Sequence, residues 1–378
     1  MHNVDTLVVK VASRCNLACT YCYEYSSGDD SWRGSPRVLS EASTRQLGQR
    51  IAEYAAITGR KSINVVAHGG EPLAMGPQKL NRFFATLREE APSVSLRFSI
   101  QTNGVLITPA HCDVIKKHGV IVGISLDGDE YANRHRIDLM GRPTWGKVIE
   151  GLRLLKELAP DRFGGILCVV DPSTDPNEVI NALCLLNPPQ IDLLQPFLTH
   201  DQAGIKRAEL AASFGRWMIA GMRTWLSNPA YKDIRIRVFE DAFRIALQAP
   251  TRTDWFGPRT ISYLVINTDG TYDLLDQLKV IGAESSKVRS LGLSIESSSI
   301  IDASARAEAL LNKFQGKQTP TDCGGCQLAS SCSGSHLTSR FSSLAGFNNA
   351  STYCEGIQMI VEAAKQEIAR SGLSTYVD

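Results

Sequence analysis

The sequence predicts an α/β protein built on a parallel sheet, and three observations predict it. Short apolar runs alternate with amphipathic stretches through residues 1–203, giving six β/α units. The connections are long enough for crossovers, which parallel neighbours require. Apolar residues make up 43% and charged residues 21%, the balance of a globular chain with a sizeable core. Thr6–Ala12 (TLVVKVA) reads as the first strand. Residues 40–57 read as a helix, with Ser40 as N-cap and Leu47, Ile51 and Tyr54 on one stripe. Residues 63–67 (INVVA) form a second strand, 78–89 a helix and 93–100 a third strand. Thr108 caps a helix with Pro109 at its first position, and that helix stops near Gly119. Residues 120–125, 165–170 and 191–194 read as strands, with Val148, Leu152 and Leu155 marking one intervening helix and 177–186 another. In such a sheet, functional residues belong in the loops after the carboxyl ends of the strands.

Beyond this point the pattern changes. Residues 204–248 read as helical and Ala249–Pro258 as a linker. Short strands (ISYLVI, TYDLL), a Gly- and Ser-rich stretch with four cysteines, and a closing helix over 355–370 follow. The expected domains are 1–203, a helical connecting segment 204–255, and 256–378. Forty Lys+Arg against 39 Asp+Glu give a net charge of +1, which argues against a nucleic-acid partner held by bulk charge. No apolar run reaches about 18 residues, so no membrane partner is expected. The opening MHNVDTLVVKVASRC lacks the basic and apolar regions of a signal peptide, which points to the cytoplasm.

Ten cysteines are present, and they cluster. Cys15, Cys19 and Cys22 follow the first strand with C-x3-C-x2-C spacing. Three thiolates can hold three irons of a [4Fe–4S] cube and leave the fourth open. On spacing alone, buried structural cysteines are the alternative, while zinc lacks a fourth ligand. His68-Gly69-Gly70-Glu71-Pro72 follows the second strand, Gln101-Thr-Asn103-Gly104 the third, and Ser125-Leu-Asp-Gly128 the fourth, with Arg136 in NRHRID beyond it. Together these segments resemble the motifs of radical S-adenosylmethionine (SAM) enzymes, over about residues 6–200. The resemblance implies a partial (β/α)6 TIM-type barrel and a SAM-bound [4Fe–4S] cluster on Cys15, Cys19 and Cys22. It further implies SAM contacts from Gly69, Gly70 and Asn103, and from Glu71 to the SAM ammonium. Ser125 falls to the ribose, Arg136 to the carboxylate, and Tyr21 near the adenine.

Cys323, Cys326, Cys332 and Cys354 form a second set, C-x2-C-x5-C-x21-C. Four thiolates suit a closed iron–sulfur cluster or a structural zinc equally well. The region resembles the SPASM domain of radical SAM enzymes that act on peptides. This implies a small α+β iron–sulfur domain with an auxiliary [4Fe–4S] cluster. Leu275 stands where relatives usually carry a cysteine, so one auxiliary cluster is expected rather than two. A narrower resemblance runs to maturases that form three-residue cyclophanes in ribosomally made precursor peptides, through Asp276-Gln-Leu-Lys279, Gly292-Leu-Ser-Ile and Gly346–Cys354.

The implied activity is abstraction of a Cβ hydrogen by a 5′-deoxyadenosyl radical, followed by an aromatic-carbon-to-Cβ crosslink. The alternative is another modification: a thioether, an epimer, or oxidation of Ser or Cys to formylglycine. A noncatalytic iron–sulfur electron carrier is the remote alternative. An external electron donor of flavodoxin or ferredoxin type is implied as a partner. Asp276 is the candidate proton acceptor, by resemblance to the sulfatase-maturing subfamily, where an aspartate at matching spacing acts as a base. The competing reading is a solvated carboxylate or a salt-bridge partner of Lys279. Cys112, Cys168, Cys184, Trp217 and Trp225 read as packing residues, His111 and His118 as surface residues, and His68 as a possible substrate or cofactor contact.

Overall fold

The computed structural model describes residues 4–253, 255–256, 262–315 and 320–371. The first residue of the expected ISYLVI strand, Ile261, and parts of the expected linker lie outside them. Ten strands are present among the described residues: β1 (Thr6–Ala12), β2 (Ser62–Gly69), β3 (Ser95–Thr102), β4 (Ile121–Ser125), β5 (Phe163–Val169), β6 (Gln190–Leu194), β7 (Arg235–Ile236), β8 (Tyr263–Ile266), β9 (Thr271–Asp273) and β10 (Ser290–Ser294). The first helices are α1 (Glu41–Thr58), α2 (Pro77–Glu90), α3 (Pro109–His118), α4 (Trp145–Leu158) and α5 (Pro176–Leu185). No helix among the described residues is long and apolar enough to cross a membrane. The chain folds into two compact units, each discontinuous in sequence.

The described residues of 1–126, 133–164 and 261–311 form one unit. Its strands lie in the order β10–β9–β8–β1–β2–β3–β4. β1 to β4 pair as parallel neighbours, as the crossover reading requires. β8 adds parallel to β1 on its other side, with Thr6 opposite Tyr263, and β9 and β10 extend the edge antiparallel. Local chemistry sets the helix ends. Ser40 Oγ accepts from the Ser43 amide at 2.9 Å, and α1 stops at Gly59 in the left-handed region. Leu47, Ile51 and Tyr54 are buried along α1, as their spacing predicts.

Two histidines depart from expectation. His111 and His118 are only 5% and 7% exposed, not surface residues. Each finds a polar partner inside: His111 Nδ1 lies 2.8 Å from the Thr108 hydroxyl, and His118 Nε2 lies 3.0 Å from Asn81 Oδ1. The His118 ring also packs 5.4 Å from Phe84. Burial holds both imidazoles below their usual pKa.

The described residues of 127–132, 165–260 and 312–378 form the other unit. Here β5, β6 and β7 run parallel, with Ile166 opposite Ile191 and Ile191 opposite Ile236. Helices Arg207–Ser227 and Cys354–Arg370 meet through a glycine pair. A Cβ on Gly356 would sit 2.4 Å from the Ala211 carbonyl oxygen, and one on Gly215 would sit 2.8 Å from Gly356 Cα. Phe214 lies 5.6 Å from Trp255 and 4.9 Å from Tyr353, whose hydroxyl donates to the Pro196 carbonyl at 2.8 Å. Trp217 donates to Thr174 Oγ1 at 3.1 Å and Trp225 to the Ile234 carbonyl at 2.9 Å, packing roles as expected. Cys112, Cys168 and Cys184 are core residues, also as expected.

The helix contact gives a direct prediction. Gly356→Val should lower the urea midpoint, with a loss of about 1–3 kcal/mol from overpacking. Gly146→Ala on α4 has open space beside it and should instead stabilise the protein, by roughly 0.5–1 kcal/mol.

Candidate functional site

The loop after β1 carries Cys15, Tyr21, Cys19 and Cys22, and it is hung on its neighbours by backbone. The Ala18 and Thr20 amides donate to the Ile137 and His135 carbonyls at 2.8 and 3.0 Å. The Gly70 and Glu71 amides at the end of β2 donate to the Ala12 and Arg14 carbonyls at 2.8 and 3.0 Å. This contact explains the glycines. A Cβ on Gly69 would lie 2.0 Å from the Ala12 carbonyl oxygen, and one on Gly70 would lie 2.0 Å from the Tyr25 hydroxyl and 2.4 Å from the Arg14 carbonyl. Gly69 is also at φ +133°. Both glycines therefore make room for the cysteine loop itself.

Glu71 is 1% exposed. Its Oε1 accepts from the Thr102 hydroxyl at 2.6 Å and the Leu73 amide at 3.0 Å, and its Oε2 accepts from the Asn103 amide at 2.8 Å. A carboxylate offers about four lone-pair sites, so room for a further donor remains. Burial pushes the Glu71 pKa up, and the Thr102 and Asn103 hydrogen bonds oppose that rise. The Asn103 side chain donates to Asn16 Oδ1 at 2.9 Å and approaches Cys15 Sγ at 3.8 Å. Arg136 donates to the Tyr21 hydroxyl at 2.7 Å, and Gln101 donates to Ser125 Oγ at 2.8 Å. Thus Cys15, Cys19, Cys22, Tyr21, Gly69, Gly70, Glu71, Asn103, Ser125, Arg136 and Asp276 all fall within one compact unit.

Register places a polar row on one face of this sheet. Lys10 on β1 is opposite His68 on β2, and Gln101 on β3 is opposite Gly123 on β4. Lys10 leads to Asp276, which starts the turn after β9. Lys10 Nζ lies 2.5 Å from Asp276 Oδ1 and 2.8 Å from Glu24 Oε2. Lys279 pairs with Glu24, and the Tyr23 hydroxyl donates to Asp276 Oδ2 at 3.2 Å. Lys10, Glu24, Asp276 and Lys279 are 3%, 5%, 6% and 2% exposed. Burial alone would raise the Asp276 pKa. The charges of Lys10, Lys279 and His68 outweigh it and hold the carboxyl below its usual range. Burial would likewise lower Lys10, but Asp276 and Glu24 raise it. Asp276 is thus a buried, ionised carboxylate whose direct cation is Lys10, while Lys279 serves Glu24.

Cys323, Cys326, Cys332 and Cys354 all lie in the other unit. The Cys326 amide donates to the Cys323 carbonyl at 3.1 Å, and Cys354 opens the closing helix. Burial raises the Cys354 thiol pKa, and the Cys323 and Cys326 thiols add to that rise. In the cysteine loop after β1, burial pushes Cys15 up to about 12, with Glu71, Cys19 and Cys22 adding to it. Burial pushes Cys22 up to about 11. The Leu17 amide meanwhile donates to Cys15 Sγ at 3.4 Å. Thiols gathered where their anions repel one another suit ligation to a cationic iron–sulfur centre. Among the described residues, no three His, Cys, Asp or Glu side chains converge tightly enough for a single metal ion. Leu275 is a buried apolar side chain. The residues missed by sequence reading are Lys10, Tyr23 and Glu24. Lys10 carried a signal, a lone charge inside TLVVKVA; Glu24 and Tyr23 carried none beyond lying next to Cys22.

Residues 9–183 match the family model of the Radical SAM superfamily. The chain is 29% identical over 335 residues to the serine-type anaerobic sulfatase-maturating enzyme of Klebsiella aerogenes, covering 87% of this chain and 78% of the relative. It is 30% identical over 176 residues to the cysteine-type anaerobic sulfatase-maturating enzyme of Clostridium perfringens, covering 46% of each. The solved structure of native anSMEcpe with bound AdoMet and Cp18Cys peptide shares the fold. Its TM-score is 0.82 at 20% identity, over 98% of this chain and 99% of that one.

The Glu71 environment predicts a pH dependence. A folded pKa raised above the unfolded value contributes stability at low pH that is lost as pH rises through the folded pKa. Thr102→Val removes a hydrogen bond to the carboxylate and raises that pKa further. The variant should therefore lose more stability at pH 7 than at pH 5, about 1.5–3 kcal/mol at the higher pH, read from urea midpoints.

Proposed function

We propose that this chain, whose residues 9–183 match the Radical SAM superfamily model, is a peptide-modifying enzyme that oxidises a serine or cysteine side chain of its substrate to formylglycine. The observation that carries this reading is Asp276, a buried carboxylate paired with Lys10 in the same compact unit as the Cys15–Cys22 loop. Such a group can take the hydroxyl or thiol proton that an oxidation must remove. The long similarity to a serine-type sulfatase-maturating enzyme supports the same reading. It moves the proposal from the aromatic-to-Cβ crosslink to the formylglycine alternative.

Cys15, Cys19 and Cys22 would hold the [4Fe–4S] cluster, and Cys323, Cys326, Cys332 and Cys354 one auxiliary cluster. The cluster with SAM supplies a 5′-deoxyadenosyl radical able to take a hydrogen atom from the substrate Cβ. The work of this chain's residues is orientation and proton handling. Glu71 keeps acceptor capacity for the SAM ammonium, and Thr102 and the Asn103 amide fix its carboxylate in place. Arg136 and Tyr21, already joined, would meet the SAM carboxylate and adenine. Ser125, held by Gln101, would meet the ribose. Gly69 and Gly70 act through the loop they admit. Asp276 would receive the substrate Oγ or Sγ proton. An external flavodoxin- or ferredoxin-type donor completes the proposal.

The test is anaerobic incubation of the reconstituted enzyme with SAM, reductant and a serine peptide. The expected product has lost two hydrogens and is captured by a hydrazide as an aldehyde. Loss of two hydrogens without capture, and with a ring located by fragmentation, would restore the crosslink reading. Asp276→Asn should lower product formation by about 10²–10⁴-fold, the range for losing a positioned proton acceptor.

A further inference from the structure

We propose that Lys10 is a positioning residue for the proton-accepting step, its ammonium seated on Asp276 so that this carboxylate stands as an oriented anion when substrate arrives. The inference rests on the reading of Asp276 as the base. Its geometry is specific. Lys10 occupies Oδ1 at 2.5 Å and the Tyr23 hydroxyl occupies Oδ2 at 3.2 Å. Held by the Lys10 ion pair at one oxygen and the Tyr23 hydroxyl at the other, the carboxylate keeps acceptor capacity in a fixed orientation.

The charges around Asp276 are few and can be named. Lys10 on β1 and Lys279 on its own turn are cations, and Glu24 after β1 is an anion. Tyr23 donates to Asp276, His68 on β2 lies opposite Lys10 in register, and Arg289 is coupled to Asp276 by charge. Burial keeps His68 below its usual pKa, while the Asp276 charge opposes that fall. The buried quartet holds two lysines and two carboxyl groups. Oxidation of a serine CH2–OH to an aldehyde releases three things. A hydrogen atom goes from Cβ to the carbon radical, one electron goes to an acceptor of the iron–sulfur class, and the Oγ proton goes to Asp276. Protonation of Asp276 leaves the Lys10 ammonium facing a neutral carboxyl. That arrangement favours release of the proton and resets the base.

Lys10 ties the 276–281 turn to β1, but that tie alone does not call for an ion pair. Ion pairs this deeply buried are often no more stabilising than apolar packing, and Thr6–Ala12 is otherwise an apolar strand broken only by Thr6. Lys279 does not substitute for it, because its partner is Glu24.

The test compares wild type, Lys10→Met, Lys10→Arg and Asp276→Asn in the reconstituted holoenzyme, following peptide oxidation and 5′-deoxyadenosine formation from about pH 5 to pH 8. Wild type and Lys10→Arg should show no acid limb in that range. Lys10→Met should lose peptide oxidation about tenfold per pH unit below a displaced pKa, while its 5′-deoxyadenosine formation holds. Urea midpoints give an independent reading. In wild type the depressed Asp276 pKa contributes stability that is lost only below the ordinary carboxylate range. In Lys10→Met burial prevails, and stability falls as pH rises through a raised pKa. The midpoint gap between the two should be wider at pH 7 than at pH 5. If Lys10→Met does not fold, Lys10→Gln takes its place with the same expectation. A wild-type pH profile or an unchanged midpoint gap in the uncharged variant overturns the inference. So does failure of Lys10→Arg to restore the profile. If Asp276→Asn oxidises peptide at the wild-type rate, the base assignment falls too; if it is inactive while Lys10→Met behaves as wild type, only the role of Lys10 falls.

Discussion

A carboxylate cannot stay ionised out of water without a partner, and the Lys10–Asp276 pair is where this chain meets that constraint. The pair joins the first strand to a turn near the far end of the sequence. Glu24 and Lys279 close the quartet, so the loop that carries the cysteines is bound to the same point. Breaking such a pair by removing one partner costs about 3–5 kcal/mol. That cost ties β8, β9 and the 276–281 turn to β1. A second buried set reinforces the attachment: Arg289 pairs with Asp273 and Asp29, and Asp29 accepts from Ser285 and Ser31.

The same logic governs Glu71 with a different outcome. Three hydrogen-bond donors hold it, and the Arg136 charge adds to them. Burial dominates and its pKa rises, whereas that of Asp276 falls. Two carboxylates in one compact unit are thereby pushed in opposite directions. That separation supports the proposed roles, ligand binding for Glu71 and proton acceptance for Asp276.

Much of the fold was legible. Periodicity located β1 to β6 and the intervening helices to within a few residues, because apolar alternation and capping are local signals. The cysteine spacings and the segments after successive strands were legible for the same reason. Long-range pairing was not. Nothing near Lys10 names Asp276 as its partner, and the parallel pairing of β8 with β1 depends on contacts between distant segments. The packing of Gly69 and Gly70 against the Ala12 and Arg14 backbone was not legible, since only the structure shows which backbone fills the space beside them. His111 and His118 were misread because a polar type says little about burial once a hydroxyl or an amide pairs with one ring nitrogen.

Isotope-edited infrared spectroscopy of the aspartate carboxyls, wild type minus Asp276→Asn, measures the protonation of Asp276 directly. An ionised Asp276 gives a carboxylate band at pH 5 that vanishes in the variant, with no protonated carboxyl signal at that position. A protonated-acid band at pH 5 that is lost in Asp276→Asn would contradict that ionised state.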